Sequence, residues 1–120
     1  MTAAVTPAPI PADALRIGTG RSLRFEGSAH GSGVSFLLVD NAPGEGPDLH
    51  RHPYGETFTV LRGRARLTVG DETLVVEAGT TIVVPPGTWH RFVNPGPDRL
   101  HLIGIHASDV IEQEFRDEQG

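Results

Sequence analysis

The chain has 120 residues, enough for one domain with a hydrophobic core of its own. Its formal charge of −5 and its ten scattered arginines provide no basic patch, which argues against nucleic acid as a partner. The sequence contains neither cysteine nor lysine, which excludes disulfides, thiol nucleophiles, iron–sulfur clusters and Schiff-base chemistry.

The first fifteen residues are rich in alanine and proline and predict an extended N-terminal arm, residues 1–15, ahead of a single domain at 16–120. Two interpretations of the arm stay open, a disordered segment and an edge strand that packs on a partner subunit. The arm has neither the charged start and apolar run of a signal peptide nor the length of a membrane span. We therefore expect a cytoplasmic protein with no membrane partner.

Short strands separated by turn residues are predicted through most of the chain, because fifteen glycines and ten prolines punctuate its apolar runs. The strand at 80–84 is rich in β-branched residues, which predicts a buried position. Ser108 or Asp109 is predicted to cap a final short helix at 109–115. The pattern predicts an all-β sandwich or barrel with one terminal helix. The predicted strands are 22–26, 34–40, 56–61, 64–69, 73–77, 80–84, 89–93 and 99–106.

Three potential metal ligands, His50, His52 and Glu56, fall within seven residues. Side chains two apart on a strand point to the same face, so His50 and His52 place both imidazoles together. The Pro-Tyr-Gly sequence at 53–55 lets the chain turn and present the Glu56 carboxylate from the next strand. A further histidine, His90, follows the Pro-Pro-Gly turn at 85–87. The pattern indicates one mixed nitrogen and oxygen site for a metal.

Two motifs that each begin with a glycine contain these candidate ligands. They resemble the paired signature motifs of the cupin superfamily, and the short spacing between them resembles that of small single-domain cupins. The resemblance implies a jelly-roll barrel in which four residues hold one divalent metal. Strand alternation independently supports only the first two of these ligands, His50 and His52. The first motif is Gly44, His50, His52, Glu56 and Gly63, and the second is Gly79, Pro85, Gly87, His90 and Asn94.

The ligand set leaves the metal open among Zn, Fe, Mn and Ni, since imidazole and carboxylate suit all of them. Four protein ligands in an octahedron leave two positions for water or substrate, as in catalytic sites. A closed tetrahedral structural site and a weakly loaded site are the alternatives.

A mostly apolar substrate pocket beside the metal is predicted, as is usual for small-molecule sites. Tyr54 is the candidate catalytic residue, although a lone aromatic side chain in a turn also serves as packing or as a lid. His101 and His106 lie on opposite faces of the last strand, so at most one of them faces the barrel. The predicted pocket residues are Phe36, Leu38, Phe58, Val60 and Phe92.

Three functions are compatible with such a site. The resemblance implies a metal-dependent enzyme acting on a small organic molecule, of dioxygenase, isomerase or cyclase type. The alternatives are a sensor that binds its ligand through the metal without turnover, and a structural barrel that the metal only braces. We also expect a homodimer, because small cupins commonly pair through sheet edges and the face with Thr57, Thr59 and Leu61 offers a surface to cover.

Overall fold

The structure, a computed structural model, describes residues 7–116 and is almost entirely β. Two short 3₁₀ turns, Ala12–Ala14 and Gly27–Ala29, are the helical elements among these residues. None of the helical segments found there has the length and apolar character to span a membrane. Residues 7–116 contain ten strands, β1 Leu23–Phe25, β2 Ser35–Asn41, β3 His50–Arg51, β4 Glu56–Arg62, β5 Arg64–Val69, β6 Glu72–Glu77, β7 Thr81–Val84, β8 His90–Val93, β9 Leu100–His106 and β10 Glu114–Phe115.

The strands form two antiparallel five-stranded sheets, which confirms the all-β prediction. Sheet A has the order β1-β2-β9-β4-β7, and sheet B has the order β10-β3-β8-β5-β6. Neighbours in each sheet are mostly distant in sequence, as in a jelly roll, where the chain alternates between two facing sheets. In the first predicted motif, His50 therefore lies on β3 of sheet B and Glu56 lies on β4 of sheet A.

The core lies between the two sheets and is made by alternate residues of each strand. Phe58, Val60 and Leu102 from sheet A and Ala65 and Leu67 from sheet B are all 1% exposed or less. Such positions alternate with exposed ones along β5, where Arg64 and Arg66 face solvent. This alternation is the period-two pattern of a strand with one face in the core.

Two residues of the signature motifs hold the ends of the strands in place. Gly63 has φ 76, which side-chain-bearing residues rarely adopt, and a Cβ there would meet the carbonyl oxygen of Arg99. Asn94 is 1% exposed, and its Nδ2 donates to the carbonyl oxygens of Asn41 at 3.0 Å and Asp98 at 2.8 Å. These two motif positions therefore build turns at the end of the barrel.

The predicted helix at 109–115 is wrong. Ser108 Oγ accepts a hydrogen bond from the Val110 N–H at 3.2 Å, and the chain then runs extended into β10, which pairs with β3. A helix of this length is marginal by itself, whereas the extended chain completes an edge of sheet B. The strand at 80–84 is buried on one face only, because β7 is the edge of sheet A: Val84 is 1% exposed, whereas Val83 is 65% exposed.

The N-terminal arm falls partly outside the described residues, which begin at residue 7. Residues 7–11 are exposed and lack regular structure, and the chain first joins the barrel at a bridge between Arg16 and Leu23. The division into an arm and a barrel stays a prediction.

Candidate metal centre

Four buried side chains converge between the two sheets. His50 begins β3, His52 follows it, His90 begins β8 and Glu56 begins β4. The Cα atoms of His50 and His90 are direct partners across the β3–β8 pair, which brings their rings to 4.3 Å between centroids. One potential ligand atom from each of the four residues lies within 4.8 Å of the others. All four are at most 6% exposed.

Backbone carbonyls fix the orientation of the three imidazoles. The Nδ1 atoms of His50, His52 and His90 lie 2.8, 2.7 and 2.8 Å from the carbonyl oxygens of Asp48, Glu112 and Thr88. A carbonyl oxygen only accepts hydrogen bonds, so each Nδ1 carries the proton and donates it. The Nε2 lone pair of each neutral ring is then available for a metal ion, as in metal-binding histidines elsewhere.

The centre of the cluster fits a bound cation. Nε2 of His52 and Nε2 of His90 lie 3.0 and 3.1 Å from the same carboxylate oxygen, Glu56 Oε1. With Nδ1 protonated, a neutral ring turns its Nε2 lone pair toward this negatively charged oxygen. Such an arrangement of acceptors requires either extra protons or a metal ion between them. Three imidazoles and one carboxylate are a suitable donor set for a divalent transition metal.

Electrostatic effects keep Glu56 and His50 in the protonation states that bind a metal. Burial raises the pKa of Glu56, but contacts with the imidazoles of His106, His52 and His90 lower it by more, so its pKa lies well below the usual range. Burial lowers the pKa of His50 to about 4, despite the opposing hydrogen bond to Asp48. Near neutral pH, Glu56 is therefore ionised and His50 is neutral, which are the forms that bind metals.

A fifth buried side chain, His106, stands behind the carboxylate. Its Nε2 lies 2.9 Å from Glu56 Oε2, out of line for a well-formed hydrogen bond, and its Nδ1 lies 2.6 Å from the Tyr54 hydroxyl. His101 is on the opposite face, 3.5 Å from Asp40. The expectation that at most one of these two histidines faces the barrel is confirmed. The inward alternation of Leu100 and Leu102 could have identified which one.

Tyr54, the candidate catalytic residue, packs parallel to the His52 ring with centroids 5.0 Å apart. Its hydroxyl contacts His106, and burial raises the pKa of Tyr54 to about 12. The side chain is half-buried and does not line the cavity that opens onto the cluster. A catalytic role for Tyr54 stays a prediction.

The cavity beside the cluster has a volume of about 410 Å³ and a mostly apolar wall. Of the predicted pocket residues, Phe92 lines it, whereas Phe58 and Val60 are buried in the adjoining core. The prediction that Phe36 and Leu38 line the pocket is wrong, because both lie on the outer face of β2. Their neighbours Leu37 and Val39 line the cavity instead.

The C-terminal segment closes one side of the cavity. Ile111, Gln113 and Phe115 line it, with the alternation of an extended chain. The Phe115 ring lies 5.6 Å from that of His50, and the carbonyl of Glu112 accepts the His52 hydrogen bond described above. We call residues 111–116 the C-terminal strap. Its contribution to the site was missed, because the sequence interpretation placed a helix there.

Comparisons with known proteins give a family and several relatives. The profile of the cupin domain family matches residues 37–106. Mannose-1-phosphate guanylyltransferase 2 of Escherichia coli O157:H7 is 37% identical over 92 residues, which cover 76% of this chain and 19% of that protein. The polyketide synthase CurC of Streptomyces cyaneus is 34% identical over 69 residues, which cover 57% of this chain and 44% of the relative. The chain thus spans less than half the length of either relative.

Solved structures with the same fold include oxalate-degrading enzymes. An oxalate oxidase superposes with a TM-score of 0.70 at 25% identity, over 78% of this chain and 53% of the other. The oxalate decarboxylase of Bacillus subtilis, described with Mn(II) centres, superposes with a TM-score of 0.74 at 24% identity, over 84% of this chain and 29% of the other. The fold, the matched profile and the buried His₃Glu group agree, and the chain belongs to the cupin family.

Proposed function

We propose that the chain is a divalent-metal-dependent enzyme that acts on a small organic molecule, of dioxygenase, isomerase or cyclase type. The observation that carries this proposal is a cavity of about 410 Å³ that contains His50 and Glu56 in its wall. A purely structural metal site has no need of such access, whereas a catalytic site keeps a coordination position open to substrate.

The residues assigned to the metal are His50, His52, Glu56 and His90. When bound, a divalent metal would supply a Lewis acid for a carbonyl or enolate oxygen. The chain itself supplies an apolar wall next to the cluster, with Leu37, Val39 and Phe92. An anionic or enolisable molecule suits this combination, because its charged oxygen meets the cluster while its carbon skeleton packs on the wall.

The relatives are compatible with this substrate class. The oxalate oxidase structures include a complex with glycolate, described as a substrate analogue, which is a small organic acid. CurC carries the name of a polyketide synthase. Neither relative fixes the reaction of this chain, so the choice among the three reaction types depends on the metal. Iron favours a dioxygenase, and zinc or nickel favours an isomerase or cyclase.

The first test measures metal content. The protein is purified without a metal-affinity tag and without added metal, and its metals are determined by elemental analysis. About one transition metal per chain is expected in the wild type, with strong loss in His52→Ala because the remaining donors cannot complete the set. His30→Ala is the matched control, since His30 is exposed and outside the cluster. Undiminished metal in His52→Ala would overturn the assignment.

The second test examines access to the metal. A bidentate carboxylate or a β-dicarbonyl compound is added to the Co²⁺-loaded protein, and the visible absorption spectrum is followed. A concentration-dependent change is expected, because the added oxygens replace exchangeable ligands. A tetrahedral Co²⁺ spectrum that no such compound disturbs contradicts the enzyme proposal and favours a structural metal. Saturable binding without turnover of any oxo acid favours the sensor instead.

We also propose that the chain forms a homodimer in the cytoplasm. The support for the dimer is the outer face of sheet A, where Val83 is 65% and Ile105 42% exposed. Leu61, at the bulge of β4, is 54% exposed nearby. Exposed apolar side chains on one face are costly in water, and a second copy would cover them. The cytoplasmic location stays a prediction from the sequence.

A further inference from the structure

An arginine lies in the wall of the cavity that adjoins the metal cluster. Arg24 belongs to β1, and its Cα is the direct partner of Leu37 in β2. Directly opposed residues of an antiparallel pair share one face, so Arg24 lies on the cavity side with Leu37. The apolar neighbours Leu23 and Phe25 face the other way. Arg24 and Leu37 both line the cavity, together with His50 and Glu56.

The guanidinium of Arg24 is only loosely committed to the protein. Its side chain is 40% exposed, and its contact with Glu26 Oε1 is long, at 3.5 Å. The other oxygen of Glu26 accepts the backbone N–H of Ile111 at 3.0 Å. Glu26 thus ties the first strand to the C-terminal strap and steadies Arg24, while most of the five guanidinium donors stay available for a ligand.

The wall of the cavity carries few charged groups and a larger apolar surface. Arg24 is the only basic residue other than His50 among the cavity-lining residues of the described chain. The acidic residue Glu45 is committed elsewhere, since its Oε1 accepts the Ala42 N–H at 2.6 Å. Val39, Phe92 and Ile111 add apolar surface. A ligand with an anionic group and an apolar body suits this distribution.

We propose that Arg24 recognises the carboxylate of the ligand, and that the ligand is a small organic acid with two oxygen-bearing ends. One end pairs with the Arg24 guanidinium, and the other reaches the His₃Glu cluster, with the carbon chain against Phe92. This inference rests on the proposed function, because it requires a metal at the cluster. It adds a residue that selects dianionic or oxo-acid ligands over simple monocarboxylates.

The test uses carboxylates of matched length as probes of the full-length, Co²⁺-loaded protein. Glutarate and adipate are compared with pentanoate and hexanoate, and binding is followed by the Co²⁺ absorption spectrum. At least one dicarboxylate is expected to bind about tenfold more tightly than its monocarboxylate, as one charge-assisted interaction at a partly exposed site provides. Arg24→Gln should remove this advantage, so that each dicarboxylate binds no more tightly than its monocarboxylate. Arg24→Lys should restore part of it, since the charge is kept.

Arg66→Gln is the matched control, because Arg66 is exposed on the outer face of sheet B. This variant should keep the wild-type preference. An equal loss in Arg66→Gln would mean that net charge alone is responsible and would overturn the role of Arg24. A spectrum that responds to all four acids without a dicarboxylate preference overturns this inference and leaves the proposed function standing. A spectrum that no carboxylate changes overturns both.

Discussion

Glycine 104 provides the sharpest test of how the metal cluster is packed. Gly104 is buried in β9, where it opposes Phe58 of β4. A Cβ at this position would collide with Glu56 Oε2 and would lie 3.0 Å from Cε1 and 3.3 Å from Cδ1 of Phe58. The carboxylate that faces the cluster therefore occupies space that only glycine leaves empty. We predict that Gly104→Ala weakens both metal binding and the fold.

The size of the effect follows from how little the neighbours can move. Glu56 and Phe58 are 2% and 1% exposed, so neither has free space to move into. Over-packing of a core costs about 1–3 kcal/mol, and the upper half of that range applies here. In a domain of this length the melting temperature then falls by roughly 10 °C. Displacing Glu56 should lower metal affinity about 10–100-fold, the range found when the support of a ligand is disturbed.

The assay separates the two effects. Thermal unfolding in excess chelator reports the stability of the metal-free fold, and competition with a chromogenic chelator reports metal affinity. Gly33→Ala is the control, because a Cβ there has no atom within 4 Å and the residue has no positive φ. This control measures the stability change that any glycine-to-alanine replacement causes by restricting the unfolded chain. A Gly104→Ala protein that matches Gly33→Ala in both measurements would refute the packing argument.

Three further predictions concern His50, Tyr54 and the outer face of sheet A. Burial lowers the pKa of His50 to about 4 from 6.5. The unfolded state therefore binds more protons between these values, and the metal-free protein should lose about 3 kcal/mol as pH falls from 6.5 to 4. A urea-unfolding series checks this loss, and an equal slope in His50→Gln contradicts it. Tyr54→Phe removes the hydroxyl that contacts His106 and should lower the free energy of unfolding by about 1–2 kcal/mol, measured by chemical unfolding. Its metal content should stay at the wild-type level. A loss of metal in this variant would instead assign Tyr54 to the cluster. Val83→Arg should give a monomer by light scattering where the wild type is a dimer, and a monomeric wild type would refute the dimer.

Half of the metal cluster was predictable from local sequence rules. His50 and His52 lie on one side because strand side chains alternate, whatever the rest of the fold does. Positions beyond β3 required the resemblance to cupins, since no local rule brings Glu56 and His90 to the same point. Their convergence depends on the pairing of β3 with β8 and on the stacking of two sheets.

The pocket was less predictable because alternation shows that a strand has two faces without showing which one is inside. In β2 both faces are apolar, and the interpretation chose Phe36 and Leu38 where the fold uses Leu37 and Val39. In β1 the pattern is more misleading, since the apolar residues Leu23 and Phe25 face outward and Arg24 faces the cavity. Pairing with a neighbouring strand decides which face of β1 or β2 points inward. The local sequence of a strand does not identify that neighbour.

The C-terminal strap has a consequence for the order in which the cluster is assembled during synthesis. The carbonyl of Glu112 that holds His52 is 60 residues further along the chain, and the strand that places it is the last of sheet B to be made. A ribosome adds about 5–20 residues per second, so His50, His52 and Glu56 emerge several seconds before their final support. In that interval His52 lacks the acceptor that fixes its proton on Nδ1, and the ring is free to rotate. The His52 ring is therefore fixed for the cluster only after the strap has joined β3.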